Sequence, residues 1–203
     1  MLFYRKKTDQ EPWVFRVFGA SLGAVVLFLV EVAQIIILAA AIIIPVRYFL
    51  IQPFVVTGAS MEPNFYDSEY LIIDEVSYRL RDIHRGEIVV FRPSNSPEQF
   101  YIKRVIGLPG ETIQILEGEI SIFNKEFPNG HALIEEYIED YTNGQVRVTL
   151  GLDEYYVLGD NRDASLDSRK IGPVSAESII GRVWLRGLPL DRLGTISSPE
   201  YTF

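Results

Sequence analysis

The chain has 203 residues, 48% of them hydrophobic and 23% charged, which suits one folded domain plus an apolar segment but not two sizeable cores. Its formal charge of −8 is uneven: residues 1–50 hold five Lys/Arg against three Asp/Glu, and residues 51–203 hold fourteen against twenty-four. An acidic main portion without a basic run argues against nucleic acid as a partner, and the absence of cysteine excludes disulfides, a thiol nucleophile and zinc–thiolate sites.

Residues 1–16 are polar and carry Arg5, Lys6, Lys7 and Arg16. From Val17 to Val46 the only charge is Glu31. About 20 apolar residues cross a bilayer core, so this run serves one span and is too short for two. Val32–Leu50 is its purer half. Four basic residues before the run, against Arg47 after it, put the N-terminus in the cytoplasm. The sequence therefore predicts a cytoplasmic segment over 1–16, a membrane anchor over 17–50 with its span at about 32–50, and an extracytoplasmic domain over 51–203. Two other readings of the run are a cleaved leader, for which Ala39-Ala40-Ala41 offers small residues, and a buried helix of a soluble protein. The apolar stretch exceeds the roughly 7–15 residue core of a leader.

Beyond Pro53 the pattern turns strand-like. Phe54-Val55-Val56, Tyr70–Ile73, Glu87–Phe91, Tyr101–Ile106, Thr112–Leu116, Ile120–Phe123, Val146–Leu150 and Tyr155–Leu158 are short β-rich runs. Turn chemistry separates them at Pro109-Gly110, Glu117-Gly118, Asn129-Gly130, Asn143-Gly144 and Gly159-Asp160-Asn161. Many short strands at close spacing predict a mainly β domain, an antiparallel barrel or sandwich. One later helix is expected at Ala176–Ile180, capped by Ser175.

A serine hydroxyl is a poor nucleophile at neutral pH and needs a base, usually a histidine oriented by a carboxylate. His84, beside Asp82 and Arg85, and His131, after Asn129-Gly130, both sit in sequence contexts of exposed loops. Nor is there a His-Glu-x-x-His or a clustered ligand set for metal hydrolysis. What remains is a serine served by an uncharged lysine, because burial in an apolar site can lower the amine from its ordinary value of about 10.4. Lys103, in Tyr101-Ile102-Lys103-Arg104-Val105-Ile106, has such a setting. Strand alternation places it on one face with Tyr101 and Val105, opposite Ile102, Arg104 and Ile106. With Arg104 turned to solvent or a salt bridge, Lys103 points inward. Taken alone, such a lysine is more often a strand-edge residue that snorkels than a base.

Four segments in order carry a more specific pattern. Gly58-Ala59-Ser60-Met61-Glu62-Pro63 resembles the nucleophile box of the type I signal peptidases, which follows their membrane anchor. Gly86–Phe91 is similar to the next family box, and Tyr101–Glu111 to the lysine box over its whole length. Gly159-Asp160-Asn161-Arg162-Asp163-Ala164-Ser165-Leu166-Asp167-Ser168-Arg169 matches the last box at every fixed position. The resemblance implies a signal-peptidase-like β-fold, with Ser60 as acylating nucleophile and Lys103 as neutral general base. It implies that Ser165 hydrogen-bonds and orients the lysine, and that Asp167 and Arg169 form a salt bridge with Arg104 in support. Asp160 and Asn161 are expected to be structural, in a turn with local side-chain bonds. For the oxyanion hole it implies the Ser60 N–H; Gly58 stands where some members carry a serine hydroxyl as second donor.

Phe54, Val55, Val56, Met61, Tyr101 and Ile102 are expected to form β-type edges and shallow apolar pockets around Ser60. The family cleaves after small residues, the Ala-x-Ala rule, and an extended substrate would pair as an added strand. The implied function is removal of signal peptides from exported preproteins at a plasma membrane or a thylakoid-type internal membrane. The partners are then signal peptides and the lipid bilayer, with no cofactor, metal or nucleic acid. The self-cleaving repressor group also uses Ser and Lys but lacks an anchor, and the Ser-x-x-Lys and Lys-Thr-Gly motifs of penicillin-binding proteins are missing around Ser60. A tethered paralogue acting as a non-catalytic binding module is the alternative from another class.

Overall fold

A computed structural model describes residues 13–49, 51–138, 141–199 and 201; the first twelve residues of the expected cytoplasmic segment lie outside the described residues. The chain divides into two units, with the boundary between Arg47 and Tyr48. The first is a helix, α1 (Trp13–Phe49). Its section Leu22–Ile44 is long and apolar enough to cross a membrane, with 23 residues at a mean hydropathy of 2.8. At 1.5 Å per residue that section is about 35 Å long, enough for the ~30 Å hydrocarbon core. Phe28, Ile35, Ile36, Ile37 and Ile42 along it are exposed, as lipid-facing side chains are. The section starts earlier than the purer half of the run and includes Glu31.

Among its described residues the second unit has twelve strands: β1 (Ile51–Val55), β2 (Tyr70–Asp74), β3 (Ile88–Phe91), β4 (Tyr101–Gly107), β5 (Thr112–Leu116), β6 (Glu119–Phe123), β7 (His131–Ala132), β8 (Val146–Thr149), β9 (Glu154–Leu158), β10 (Val174–Ser175), β11 (Ile179–Leu188) and β12 (Gly194–Thr195). A short helix, α2 (Ser168–Ile171), lies between β9 and β10. One sheet has the order β1-β2-β11-β3-β4-β9-β10, with β12 on β11; the other runs β7-β6-β5-β8, and every pairing is antiparallel. The expected mainly β architecture is thus present as a curled sheet with a smaller one beside it.

Sequence pattern explains the layering. In β5 and β6, alternate isoleucines (Ile113, Ile115, Ile120, Ile122) are buried in one core cluster with Ile106, Tyr156 and Leu158, which is the half-buried strand pattern of period two. Strand β3, Ile-Val-Val-Phe, is buried at all four positions: Ile88 and Val90 face one core cluster, and Val89 and Phe91 another. A central strand covered on both faces must be apolar throughout. The large sheet is strongly curled, because three strands separate β1 from β4, yet Phe54 of β1 meets Phe100, just before β4, with ring centroids 5.1 Å apart.

Two elements differ from expectation. The helix expected at Ala176–Ile180 is a single 3-10 turn, Ala176–Ser178, capped by Ser175 Oγ accepting from the Glu177 N–H. Ile179 and Ile180 instead open β11, where Ile179 pairs with Phe91, as suits β-branched side chains on a pleated surface. Strand β11 itself, ten residues long and the bridge between β2 and β3, has no counterpart in the sequence reading. Gly181, Gly187 and two arginines interrupt its apolar pattern.

Candidate active site

Ser60 sits in the turn that follows β1, reached through Gly58 at φ +86°, a conformation that favours glycine. The Gly58 N–H donates to Asp67 Oδ1 at 2.7 Å, so this turn is tied to its own exit. Below Ser60, Met61 is fully buried in the core with Phe65, Leu71 and Ile73. Met61, expected as a substrate contact, lies in this floor and is not among the residues lining the groove described below. The Ser60 carbonyl accepts from the Asn161 N–H at 3.2 Å.

Lys103 comes from the middle of the large sheet, on β4, paired across to Val89. It is 4% exposed. Its Nζ lies 2.8 Å from Ser60 Oγ and donates to the Ile102 carbonyl at 2.7 Å. Burial lowers the amine from its ordinary 10.5 to about 8, against the opposing pull of the Asp167 and Asp160 carboxylates. At that value roughly a tenth of the amine is neutral at pH 7. In the neutral state one amine hydrogen stays on Ile102 O, and the lone pair can accept the Ser60 hydroxyl proton.

Arg104, the next residue, points to the other face but not to solvent. It is 3% exposed and grips Asp160 with both Nε (2.8 Å) and NH2 (2.6 Å), while NH1 donates to Gly86 O. Asp160 therefore makes long-range bonds, to Arg104 and to Asn64 Nδ2. The local bond of its turn is made by Asn161, whose Oδ1 accepts from the Ala164 N–H. Asp167 and Arg169 form the expected pair, 2.8 Å apart, with Asp167 fully buried and Arg169 partly so. Burial pushes the Asp167 carboxyl up, but the Arg169 hydrogen bonds, the nearby Ser165 hydroxyl, the Arg169 charge and the Gly159 N–H together hold it below its ordinary value. Asp167 also caps α2 by accepting from the Arg169 N–H.

Ser165 is buried beside these groups. Its Oγ makes no hydrogen bond of good geometry, and the contacts of Nζ go to Ser60 and Ile102. Gly159 lies between Ser165 and the nucleophile: a Cβ there would stand 2.5 Å from Ser60 O and collide with Ser165 Oγ. The box glycine is required by this close backbone approach, a role that its place in a turn does not reveal.

The pair opens into a groove of about 600 Å³ lined by residues 54–60, Leu71, Val90, residues 99–103, Ala164 and Leu166. Phe54, Val55, Val56, Tyr101 and Ile102 are all on its walls; Val90, Ala164 and Leu166, which lie inside the boxes but were not read as substrate contacts, and Leu71, Gln99 and Phe100, which lie outside them, are additions. Neither histidine lines it: His84 is in a separate cleft of about 900 Å³ lined by the segment after β2 with Tyr155 of β9 and Ile179 and Ile180 of β11, and His131 packs on Phe127. Among the described residues no group of three or more His, Asp or Glu side chains is placed to hold a metal.

A serine hydroxyl in bonding contact with a buried lysine lies at the floor of a groove on a mainly β scaffold, an arrangement in which a neutral amine can take the hydroxyl proton without a histidine. Residues 29–187 match the family described as Signal peptidase, peptidase S26. The chain is 37% identical over 175 residues to a probable signal peptidase I-2 of Synechocystis sp., covering 82% of this chain and 77% of that one. It is 37% identical to a signal peptidase I of Leptolyngbya laminosa, with 80% and 81% covered. Signal peptidase I P of Bacillus subtilis subsp. natto is 33% identical, with 81% and 92% covered. A crystal structure of a signal peptidase I from Enterococcus faecalis V583 gives a TM-score of 0.44 at 29% identity, covering 51% of this chain and 97% of that one. The chain belongs to the signal peptidase I family and is a peptidase.

Proposed function

We propose that this chain cleaves N-terminal signal peptides from exported preproteins after small residues, with Ser60 as nucleophile and Lys103 as general base. The observation that carries the reading is the 2.8 Å contact of Lys103 Nζ with Ser60 Oγ in the floor of the groove. Ser60 Oγ attacks the carbonyl carbon of the residue before the scissile bond as its proton moves to the Nζ lone pair. The negative oxygen of the tetrahedral intermediate faces the Ser60 N–H. Collapse breaks the C–N bond, and the Lys103 ammonium gives its proton to the departing amine, the new N-terminus of the mature protein. A water then attacks the ester, losing a proton to Lys103; collapse breaks the acyl C–Oγ bond, the Lys103 ammonium returns that proton to Ser60 Oγ, and the acid product leaves.

An amine held near 8 suits this double duty, being neutral often enough to accept a proton and acidic enough to return it. Ser165 is assigned to orient the lysine on the family pattern alone, since Nζ here bonds Ser60 and Ile102, and the Asp167–Arg169 and Arg104–Asp160 pairs are assigned to hold the last box and the lysine strand in place. Walls of Val56, Leu71, Val90 and Ile102 suit alanine-sized side chains in an extended, strand-like substrate. The helix α1 anchors the chain in a plasma or thylakoid-type membrane, with residues 1–16 cytoplasmic and the catalytic unit on the opposite side, by the basic residues that precede the apolar run.

The test is cleavage of a preprotein with an Ala-x-Ala site by the purified full chain. Ser60→Ala and Lys103→Ala should each abolish cleavage with the fold retained, and Lys103→Arg should be inactive because a guanidinium does not deprotonate. Full activity in any of the three sinks the assignment.

A further inference from the structure

The turn that bears Ser60 is a surface loop, whereas Lys103 is fixed in a central strand. Something must hold the loop in register, since a misplacement of about 1 Å in a reacting group can cost roughly 100-fold in rate. We propose that Asn64 is the positioning residue that keeps Ser60 against Lys103; the inference rests on the reading of those two residues as the acting pair.

Asn64 closes the same turn, four residues after Ser60, and its polar groups are used on both sides. Its Nδ2 donates to Asp160 Oδ2 at 2.9 Å and to the Tyr137 carbonyl at 3.1 Å. Its own carbonyl accepts from Arg186 NH2 at 2.5 Å and Arg192 NH2 at 3.1 Å. Both arginines are in turn anchored on the buried Glu69, which is 2% exposed. Asp160 is gripped by Arg104, whose backbone continues directly into Lys103. Ser60, Asn64, Asp160, Arg104 and Lys103 thus form a closed ring, and the Ser60–Lys103 contact is the segment of it where chemistry occurs.

A second tie, from the Asn161 N–H to Ser60 O, comes from the residue after Asp160, so both ends of the nucleophile turn are registered on the same short segment. Asn64 is absent from the groove lining and acts through its neighbours. An amide suits this place because both of its N–H groups are used. A carboxylate would offer no donor and would set like charges together against Asp160.

The experiment compares the full chain with Asn64→Ala, the nearly isosteric Asn64→Asp, and Ser60→Ala, measuring kcat and KM on one preprotein across pH, with thermal unfolding of each. For Asn64→Ala, kcat should fall about tenfold or more while KM stays within about twofold, at temperatures where the variant is folded. Asn64→Asp should lose at least as much. Its rising pH limb should also move to higher pH, because a further anion near Asp160 favours the Lys103 ammonium. A merely structural asparagine would lower the unfolding temperature but leave kcat of the folded enzyme and the pH limb unchanged, and that result overturns the proposal. If Asn64→Ala does not fold, Asn64→Asp decides by the same criteria. An active Ser60→Ala would instead overturn the Ser60 assignment, whereas an inactive Ser60→Ala beside Asn64 variants with wild-type kcat overturns only the positioning role.

Discussion

Replacing Lys103 by methionine separates what the lysine does for catalysis from what it costs the fold. Methionine keeps the length and apolar stem of the side chain but does not titrate. In the folded protein burial holds the amine at about 8 against an ordinary 10.5, so between those values the unfolded chain binds more protons than the native one. Stability contributed by the wild-type residue therefore rises with pH through this window and is lost again as pH falls through 8. Below that pH the lysine is charged in both states, and keeping the buried charge costs roughly 3 kcal/mol relative to a neutral amine. From pH 7 to about pH 9.5 the wild type should gain about 2 kcal/mol on Lys103→Met. Denaturant unfolding of the two full-length proteins at a series of pH values reads this difference directly, because other titrations cancel. The rising limb of kcat/KM in the wild type should have its midpoint near the same value of about 8. A stability difference that stays constant from neutral to alkaline pH would refute a lysine held neutral by burial, whatever the activity of the variant.

Arg104→Ala leaves Asp160 buried without its bidentate partner and should cost about 3–5 kcal/mol of stability. In the fraction that remains folded, the uncompensated carboxylate should shift the rising pH–rate limb to higher pH. Gly159→Ala places a Cβ 2.5 Å from the Ser60 carbonyl and should lower kcat by about tenfold or more with a smaller change in KM, read on the same preprotein.

Much of the fold was legible because its strands follow simple patterns. The alternating isoleucines of β5 and β6 and the unbroken apolar run of β3 each announce their burial. Strand alternation also separated Lys103 from Arg104, and of the two settings expected for Arg104, solvent or a salt bridge, it takes the second, in a buried pair with Asp160. Strand β11 escaped because its polar residues are satisfied far along the chain: Arg182 bonds Asp74, and Arg186 bonds Glu69 and Asn64 O. Local sequence carries no sign of such partners. Asn64 was hidden for the same reason, since Asp160 lies 96 residues away. The groove walls contributed by Leu71, Val90 and Phe100 depend on the curl of the sheet, which no single strand encodes.

The charges around Lys103 work against the poise that its burial creates. Asp167 and Asp160 both favour the ammonium, so bare carboxylates at those positions would hold the lysine protonated. Each is instead buried with its own arginine: Arg104 takes both oxygens of Asp160, and Arg169 those of Asp167. A carboxylate and a guanidinium in close bidentate contact present a dipole rather than a net charge to a third group, and a dipole's influence falls off faster with distance. The fold can thus use two buried acids to fasten the last box and the lysine strand while desolvation still sets the amine. The same arrangement explains why lysine suits this scaffold better than arginine would. Only the ammonium can lose its proton when water is withdrawn, and here the withdrawal comes from sheet packing that extends well beyond the groove.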